Sequence, residues 1–263
     1  MKTSIIAEVG INHGGSFLKA MELTTAAIDA GADIIKYQVF NNFPDLKRYS
    51  LTKGQYKDLF KYVVRERMKL CFATAFDEDA FKFLSPLQNI WKIPSGFIAN
   101  LAYYDLVKKY LRQNIDLIII STGMSTMKEV EEAVSYFPRQ QIVVMQCTSL
   151  YPTPLIDVNL RGLITMGTSL GVATGLSYHG HNQTVPVAAA ALGAFAVEVH
   201  ITDDRTREGG DHKASMDVAE FATMVKGVRD VEVAMGTGQK HVTEREKKFQ
   251  QPIRQRMMEA IDL

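Results

Sequence analysis

The amino-acid sequence predicts an α/β protein built as a (β/α)8 TIM barrel in a single domain, and three observations support this. Short runs rich in β-branched residues alternate with amphipathic segments of helical length along the chain, a pattern typical of parallel sheets covered by helices. The chain has 263 residues, a usual length for one barrel domain. No glycine-rich phosphate-binding fingerprint follows the first strand-like run, which favours a closed barrel over an open, doubly wound sheet.

Eight strands are predicted, and they are nearly continuously apolar, as expected for parallel strands covered on both faces. In chain order they span residues 4–11, 33–40, 70–76, 89–95, 116–122, 141–148, 172–179 and 194–202. Both cysteines, Cys71 and Cys147, fall inside these runs. We interpret them as buried, reduced thiols and not as a disulfide or a metal-binding pair.

Segments of helical length fill the gaps between the predicted strands. The first ends at Gly31, a residue type common just past a helix C-terminus. Two others begin at Thr52 and Ser125, because hydroxyl side chains cap helix N-termini, and Glu129 follows Ser125 within the first turn. The last helix of the barrel is predicted at about 217–235.

Residues 1–238 are therefore predicted to form the barrel, and residues 239–263 a charged C-terminal tail. We expect this tail to be either a short helix lying on the barrel or a frayed end.

The composition excludes several classes of partner. Thirty Lys and Arg residues face 29 Asp and Glu residues, so the net charge is +1, and nothing indicates binding to nucleic acid or to an anionic membrane. No apolar stretch approaches the ~20 residues that span a bilayer. Glu8 interrupts the first apolar run too early for a secretion signal. We expect a cytoplasmic protein.

The predicted strands end in many polar side chains. Residues two apart point to the same face of a strand, and this groups Lys36 with Gln38, Ser177 with His179, and Glu198 with His200. Taken singly, such residues have ordinary structural explanations, because a strand lysine is usually ion-paired and a strand histidine is usually a hydrogen-bonded core residue.

Taken together, these side chains lie at the end of the barrel where barrel enzymes carry their active sites. Two lysines, Lys36 and Lys92, together with several hydroxyls would suit a phosphate or a carboxylate. The residues alone therefore predict a barrel enzyme for an anionic substrate and leave open whether it holds a divalent metal.

Eight motifs occur in order along the chain: "IIAEVGINHGGS", "AGADIIKYQVF", "WKIPSGFIAN", "IISTGMST", "QCTSLYPTPLIDVNL", "GLSYHG", "LGAFAVEVHIT" and "GGDHKASM". They resemble motifs of the sialic acid synthase family (N-acetylneuraminate synthase and its relatives) over roughly residues 4–245. The resemblance concerns the barrel domain, without the C-terminal antifreeze-like domain of those relatives. It implies a metal-dependent (β/α)8 transferase that condenses phosphoenolpyruvate with an aldehyde sugar, forms a 2-keto-3-deoxy sugar acid and releases phosphate.

The resemblance also implies roles for single residues. The divalent metal, Mn²⁺ or less well Mg²⁺, would be bound by His179 and His200. The positions that would hold phosphoenolpyruvate are Lys36, Thr74, Lys92, Ser95, Ser121, Ser149 and Ser177.

The reacting centre would be surrounded by Glu8, Glu198 and Asp211, with Glu8 or Glu198 as the general base for the added water. The acceptor sugar would lie near Gln38, Tyr151 and Phe97.

Departures from the family pattern fall on the acceptor side. Phe97 stands where relatives have a glutamate that touches the sugar, so we expect an acceptor that is smaller or less polar there. His181 is the alternative to His179 as a metal ligand. Relatives cover the site with a partner's arginine. Here the sources of a cover are the loop that holds Arg205 and Arg207, the tail, or another protein. We expect self-association, with the loop, alone or together with a neighbour's tail, as the cover.

Two other functions remain open at this point. One is a different metal-dependent barrel reaction on a phosphorylated compound, such as that of an aldolase or isomerase. The other is a catalytically inactive, sugar-binding barrel subunit, which the change at Phe97 would favour.

Overall fold

The structure is a computed structural model that describes residues 2–40, 43–112 and 116–261. It confirms the predicted barrel, because eight parallel strands alternate with helices along the chain. The strands are β1 Ser4–Gly10, β2 Ile34–Val39, β3 Leu70–Ala75, β4 Ile90–Ile93, β5 Leu117–Ser121, β6 Ile142–Cys147, β7 Ala173–Tyr178 and β8 Ala196–Thr202, and a two-residue strand β9, Met216–Asp217, pairs with β8.

The helices cover the outer face of the strands. They are α1 Phe17–Asp29, α2 Lys53–Lys61, α3 Glu78–Leu84, α4 Leu101–Tyr110, α5 Met127–Ser135, α6 Arg161–Leu170, α7 Thr184–Ala191 and α8 Val218–Ala234, followed by α9 Glu244–Glu259. Each predicted strand is found within two residues of its predicted ends, and the predicted last barrel helix corresponds to α8.

The hydrogen-bonded strands follow the order β3-β2-β1-β8-β7-β6-β5-β4. Among the described residues no backbone ladder joins β3 to β4. The side-chain amide of Gln88 fills part of this seam, since it accepts from the Ala73 N–H (2.8 Å) and donates to the Ala73 carbonyl (3.1 Å). The Tyr103 hydroxyl lies 2.7 Å from the carbonyl oxygen of Ala75 and 3.1 Å from that of Lys92. Side chains thus bridge the seam of the barrel.

Side chains of each strand alternate between two environments, as the two-residue period of a strand requires. On β1, Ile5, Ala7 and Val9 belong to the large core between strands and helices. Ile6 points inward, where it joins a small apolar cluster of Ile34, Phe72, Ile90, Ile119, Val143, Met145 and Ala196. The next inward residue of β1 is Glu8, and the other strands likewise carry polar groups beyond this apolar layer, toward their C-terminal ends.

Local sequence signals explain the helix ends. Gly31 follows α1 with a φ of +102°, a left-handed conformation that favours glycine, as predicted. Thr52 caps α2 as predicted. The cap of α5 is Thr126 and not the predicted Ser125, because a reciprocal capping box needs the acidic residue three positions after the cap, and Glu129 occupies that position relative to Thr126.

The chain divides into two compact units, with the boundary between Glu232 and Val233. The first unit holds the barrel. The second contains α9, which begins with a capping box of Thr243 and Glu246 and has no buried residue. The predicted tail therefore contains a helix, and its last two residues, 262 and 263, lie outside the described residues. No helix in the described part of the chain is both long and apolar enough to span a bilayer.

Candidate active site

The C-terminal ends of the strands surround a cavity of about 460 Å³, a size typical of small-molecule sites. All eight barrel strands, or the residues just after them, contribute to its wall. The predicted site residues that line it are Lys36, Gln38, Thr74, Lys92, Ser95, Ser121, Ser149, Tyr151, Ser177, His179, Glu198, His200 and Asp211. The barrel therefore brings nearly all of the predicted residues to one place.

Two buried lysines meet two buried glutamates in this region. Lys36 is ion-paired with Glu8, and its Nζ lies 3.2 Å from Glu198 Oε1. Lys92 Nζ lies 3.0 Å from Glu198 Oε2, and Ser177 donates to Glu198 Oε1 at 3.2 Å. The four ionic side chains are at most 6% exposed. Their formal charges cancel, which allows them to be buried together.

This network shifts the pKa of its members. Burial alone would raise the pKa of Glu198, but the positive charges and hydrogen bonds of Lys36 and Lys92 outweigh it and hold that pKa well below its usual range. Burial lowers the pKa of Lys36 to about 8, although the nearby Glu198 opposes this shift. Glu198 is therefore ionised at neutral pH, and Lys36 can give up its proton more readily than an exposed lysine.

Hydroxyl groups cluster on the opposite side of the cavity from β1. Ser95 Oγ accepts a hydrogen bond from the Gly123 N–H at 3.0 Å. A Cβ at position 123 would collide with the Ser149 hydroxyl and lie 2.9 Å from Ser95 Oγ, so only glycine lets these groups approach. Ser121 Oγ is buried and has no hydrogen-bond partner among the described residues. A buried, unpaired hydroxyl at a cavity wall is available to a ligand.

Two imidazoles face the cavity from β7 and β8. His179 Nδ1 lies 2.9 Å from the Thr148 carbonyl oxygen, which can only accept, so this nitrogen carries the proton and Nε2 is left as an acceptor, 3.0 Å from the Tyr151 hydroxyl. His200 Nδ1 is buried without a hydrogen-bond partner in the described structure. Its nearest carboxylate oxygen, Asp211 Oδ2, lies 3.5 Å away.

Burial lowers the pKa of His179 to about 4, and the neighbouring His200 acts in the same direction. Burial lowers the pKa of His200 to about 3, with the charge of Lys36 adding to the effect. Both rings are thus neutral at pH 7, the form that donates a lone pair to a metal. Within the described ranges, no group of three or more His, Cys, Asp or Glu side chains is already gathered for a metal. In the described part of the chain, the two imidazoles, with Asp211 nearby, are the side chains of this cavity that could donate to a metal.

Two predicted site residues do not line the cavity. Glu8 is fully buried behind Lys36, beside a bulge of β1 at Gly10. Phe97 stacks on Tyr103 with ring centroids 4.3 Å apart. The position of Glu8 suits charge balance with Lys36 better than direct contact with a substrate, and Phe97 lies outside the cavity wall.

The other candidates from the sequence lie outside the wall of the central cavity. His181 lines a separate cavity next to the 203–217 segment, whereas His179 lines the central one. Arg205 is ion-paired with Glu220 at 2.6 Å. Arg207 lies closer to the site, because it lines a small cavity of about 220 Å³ that also includes Tyr151 and Asp211.

Several residues of the cavity wall were not predicted from the sequence. They are mostly apolar: Ile11, Phe76, Pro94, Gly96, Met124 and Cys147. Phe76 could have been found, since it lies two residues after Thr74 and so shares its face. Cys71 and Cys147 are buried and are not joined in a disulfide, as predicted. A larger cavity, about 550 Å³, lies near the N-termini of α5 and α6, but Arg161 is the single ionic group in its wall, so the chemistry is better placed in the central cavity.

Comparison with known proteins identifies the family of this chain. Residues 41–240 match the family described as NeuB. This chain belongs to the NeuB family. The family predicted from the motifs is thereby confirmed.

Similar NeuB-family proteins carry the names of sugar-acid synthases. The chain is 31% identical to the N,N'-diacetyllegionaminic acid synthase of Campylobacter jejuni, over 100% of this chain and 86% of that protein. It is 34% identical to the human N-acetylneuraminate-9-phosphate synthase, over 90% of this chain and 72% of that protein. A crystal structure of the N-acetylneuraminic acid synthetase of Leptospira borgpetersenii, solved with citrate, superposes with a TM-score of 0.85 at 29% identity, covering 95% of this chain and 91% of that one.

Proposed function

We propose that this NeuB-family chain is an enzyme that condenses phosphoenolpyruvate with an aldehyde sugar, forms a 2-keto-3-deoxy sugar acid and releases phosphate. The observation that carries the proposal is the convergence, in one cavity, of two buried lysines, several hydroxyls and two neutral imidazoles. The names of its relatives, which are sugar-acid synthases, support the same reaction class.

The lysine and hydroxyl side of the cavity suits phosphoenolpyruvate. This substrate carries a phosphate and a carboxylate, and buried anions need charge-assisted donors. Lys36 and Lys92 supply two ammonium groups, and the hydroxyls come from Thr74, Ser95, Ser121, Ser149 and Ser177. An incoming anion would share the lysines with Glu198, because Glu198 is their present partner.

In the reaction the enol carbon forms a bond to the aldehyde carbon, whose oxygen takes up a proton. Water adds at the carbon that carries the phosphate, and phosphate then leaves with its bridging oxygen. We assign Glu198 as the base that takes the water proton, since it lines the cavity and is ionised. An anion that draws on Lys36 and Lys92 weakens their hold on Glu198, which makes this carboxylate more basic. Glu8 would hold Lys36 in place.

The imidazole side suits a divalent ion. His179 and His200 both line the cavity, and His200 Nδ1 is buried without a hydrogen-bond partner among the described residues. The His179 Nδ1 bond to the Thr148 carbonyl is the kind of outer contact that orients a ligand histidine. Such nitrogen donors, completed by Asp211 or water, suit Mn²⁺ better than Mg²⁺. When bound, the ion would polarise the aldehyde oxygen as a Lewis acid.

The acceptor would lie between Tyr151 and Gln38, with an apolar surface at Phe76. Phe97 supports this surface from behind, since its ring lies 6.1 Å from that of Phe76. Self-association and a cytoplasmic location, both expected from the sequence, are part of this proposal, and sedimentation analysis checks the first.

The direct test is phosphate release from phosphoenolpyruvate in the presence of Mn²⁺ and a panel of aldehyde sugars. We expect release that requires both the sugar and the metal, with the keto acid seen by mass spectrometry. Aldolase or isomerase chemistry would convert a phosphorylated compound without needing phosphoenolpyruvate. Sugar binding without any turnover would instead identify an inactive binding subunit.

The metal assignment has its own test. His179→Ala and His200→Ala should each abolish Mn²⁺ retention and phosphate release, while thermal unfolding shifts little, because each ring is a cavity-facing donor. The matched control is His181→Ala, which should retain the metal. Full Mn²⁺ occupancy in both single variants would contradict the assignment.

A further inference from the structure

Asn12 is buried just after β1 but does not line the central cavity. Its exposed fraction is 1%, and the wall of the cavity at this point is formed by the preceding residue, Ile11. A buried amide is stable only when its donors and acceptor are satisfied. The partners of Asn12 therefore indicate what it does.

All of these partners belong to β8 or to the segment that follows it. The Asn12 Nδ2 group donates to the Ile201 carbonyl at 2.9 Å and to Ser215 Oγ at 2.8 Å. Asn12 Oδ1 accepts from the Asp211 N–H at 2.9 Å. Ser215 in turn donates its hydroxyl proton to the Asp211 carbonyl at 2.8 Å. Both amide protons and the amide oxygen are thus used within one closed set of bonds.

These bonds connect the two backbone segments that carry the His200 imidazole and the Asp211 carboxylate. Ile201 directly follows His200, and Asp211 carries the carboxylate that lies 3.5 Å from His200 Nδ1. Nine residues lie between Ile201 and Asp211, and after Thr202, the last residue of β8, none of them belongs to a helix or strand. The Thr202 hydroxyl also lies 2.8 Å from His212 Nδ1, and the Gly210 N–H donates to the Tyr49 hydroxyl at 3.2 Å. Asn12, however, is bonded to the backbone of both Ile201 and Asp211, so its loss would loosen the separation of the imidazole and the carboxylate.

The loop also passes close to the Asn12 amide at Gly210, where there is little room for a side chain. Gly210 has a φ of +56°, and a Cβ there would lie 3.0 Å from Asn12 Oδ1. The loop therefore approaches the amide closely. Aspartate at position 12 would lack both donors and would place a second negative charge beside Asp211, and alanine would supply neither donor nor acceptor.

We propose that Asn12 is a positioning residue that holds His200 and Asp211 at the separation needed to bind the divalent ion together. This inference rests on the proposed metal site. Outer partners of metal ligands commonly change metal affinity by roughly 10-fold to 100-fold when removed, so the effect should be measurable as binding, independently of turnover.

The experiment measures the Mn²⁺ dissociation constant by calorimetry, and hydrogen exchange at the Asp211 amide by NMR, in the full chain. For Asn12→Ala we expect the dissociation constant to rise by roughly 10-fold or more and the Asp211 amide to exchange about tenfold faster. Ser215→Ala removes one bond of the same set and should change both quantities in the same direction but less. If Asn12→Ala does not fold, Ser215→Ala is the variant that tests the proposal.

Gln88→Ala is the matched control, because Gln88 is also a buried amide that bonds to backbone in both directions, at the β3–β4 seam. It should lower thermal stability without changing either readout at the metal position. If Asn12→Ala and Ser215→Ala bind Mn²⁺ as tightly as the wild type does, the proposed role of Asn12 is wrong, but the proposed metal site is not contradicted. If the wild type itself does not bind Mn²⁺, both the metal site and the role of Asn12 are wrong.

Discussion

At the scale of single residues, the site is an arrangement of charges that balance one another before any substrate arrives. Lys36 and Lys92 would each be costly to bury alone. Glu8 and Glu198 cancel their charge, and the contacts of Glu198 with both lysines make it the shared member. The same lysines and glutamates therefore contribute to the stability of the fold and to anion binding. Substitutions that remove one charge or two can distinguish the two contributions.

Lys92→Met leaves the negative charge of Glu198 less well compensated. We expect the free energy of unfolding to fall by about 3 kcal/mol or more, and phosphoenolpyruvate affinity to fall by about 2 kcal/mol or more. Adding Glu198→Gln should restore most of the stability, because the remaining Lys36–Glu8 pair is neutral overall, but should not restore binding. Urea unfolding and calorimetry measure the two effects.

The exposed pair of Lys109 and Glu78 provides the control, with side chains 59% and 55% exposed. Lys109→Met should leave both the unfolding free energy and phosphoenolpyruvate binding nearly unchanged, because solvent screens an exposed ion pair. Undiminished phosphoenolpyruvate affinity in Lys92→Met would remove this lysine from the anion site.

At the scale of elements, one carboxylate joins the first strands of the barrel to its last helix. Asp33, just before β2, accepts from the Ile5 N–H of β1 at 3.0 Å and from Lys2 Nζ at 2.9 Å, and it is ion-paired with Arg229 of α8. Burial opposes ionisation of Asp33, but the bonds from Lys2 and Ile5 and the charge of Arg229 outweigh it, so its pKa is lowered.

Because the pKa of Asp33 is lower in the folded chain than in the unfolded chain, this carboxylate stabilises the fold above its unfolded pKa of about 4. That contribution is lost as the pH falls through the lower, folded pKa. Asp33→Asn should therefore reduce the free energy of unfolding by about 1–2 kcal/mol at pH 7, and by progressively less in acid. Urea unfolding across this pH range measures the difference.

Asp29→Asn is the control, since Asp29 is 61% exposed in its pair with Arg67, and it should have little effect at any pH. An Asp33→Asn penalty that persists undiminished below the folded pKa would show that shape and not charge accounts for the role of Asp33.

At the scale of the whole molecule, the barrel and the C-terminal helix are separate compact units. Helix α9 has no buried residue in the described chain, although it carries large apolar side chains such as Phe249 and Ile253. We expect a chain ended after Gly238 to keep its midpoint of thermal unfolding and its Mn²⁺ affinity, because α8 ends at Ala234. Calorimetry of both chains checks this.

The outcome also tests the origin of the cover over the cavity. Loss of turnover on truncation, with binding of Mn²⁺ retained, would assign that role to the tail. Loss of folding would contradict the prediction that the barrel ends by Gly238. Arg207→Ala in the full chain provides the comparison, since Arg207 is the loop arginine beside Tyr151 and Asp211.

Much of the fold could be predicted because it depends on local patterns. Alternating strand-like and helical runs, and the two-residue period within strands, were enough to place β1 to β8 within two residues of their ends. The same period predicted that Lys36 and Gln38, or Glu198 and His200, share a face. Motif resemblance then added the family and the chemical roles, which the pattern by itself does not contain.

The tertiary structure decided what depends on distance between separate strands. Glu8 and Glu198 are equivalent in sequence pattern, yet the structure seals Glu8 behind Lys36 and places Glu198 in the cavity wall. His179 and His181 are two residues apart in the sequence, but of the two His179 lines the central cavity and His181 a separate one. Asn12 meets Asp211 across 199 residues of chain. Periodicity fixes the direction of a side chain relative to its own strand, whereas the partner it meets depends on strand register and loop packing, which are properties of the closed barrel.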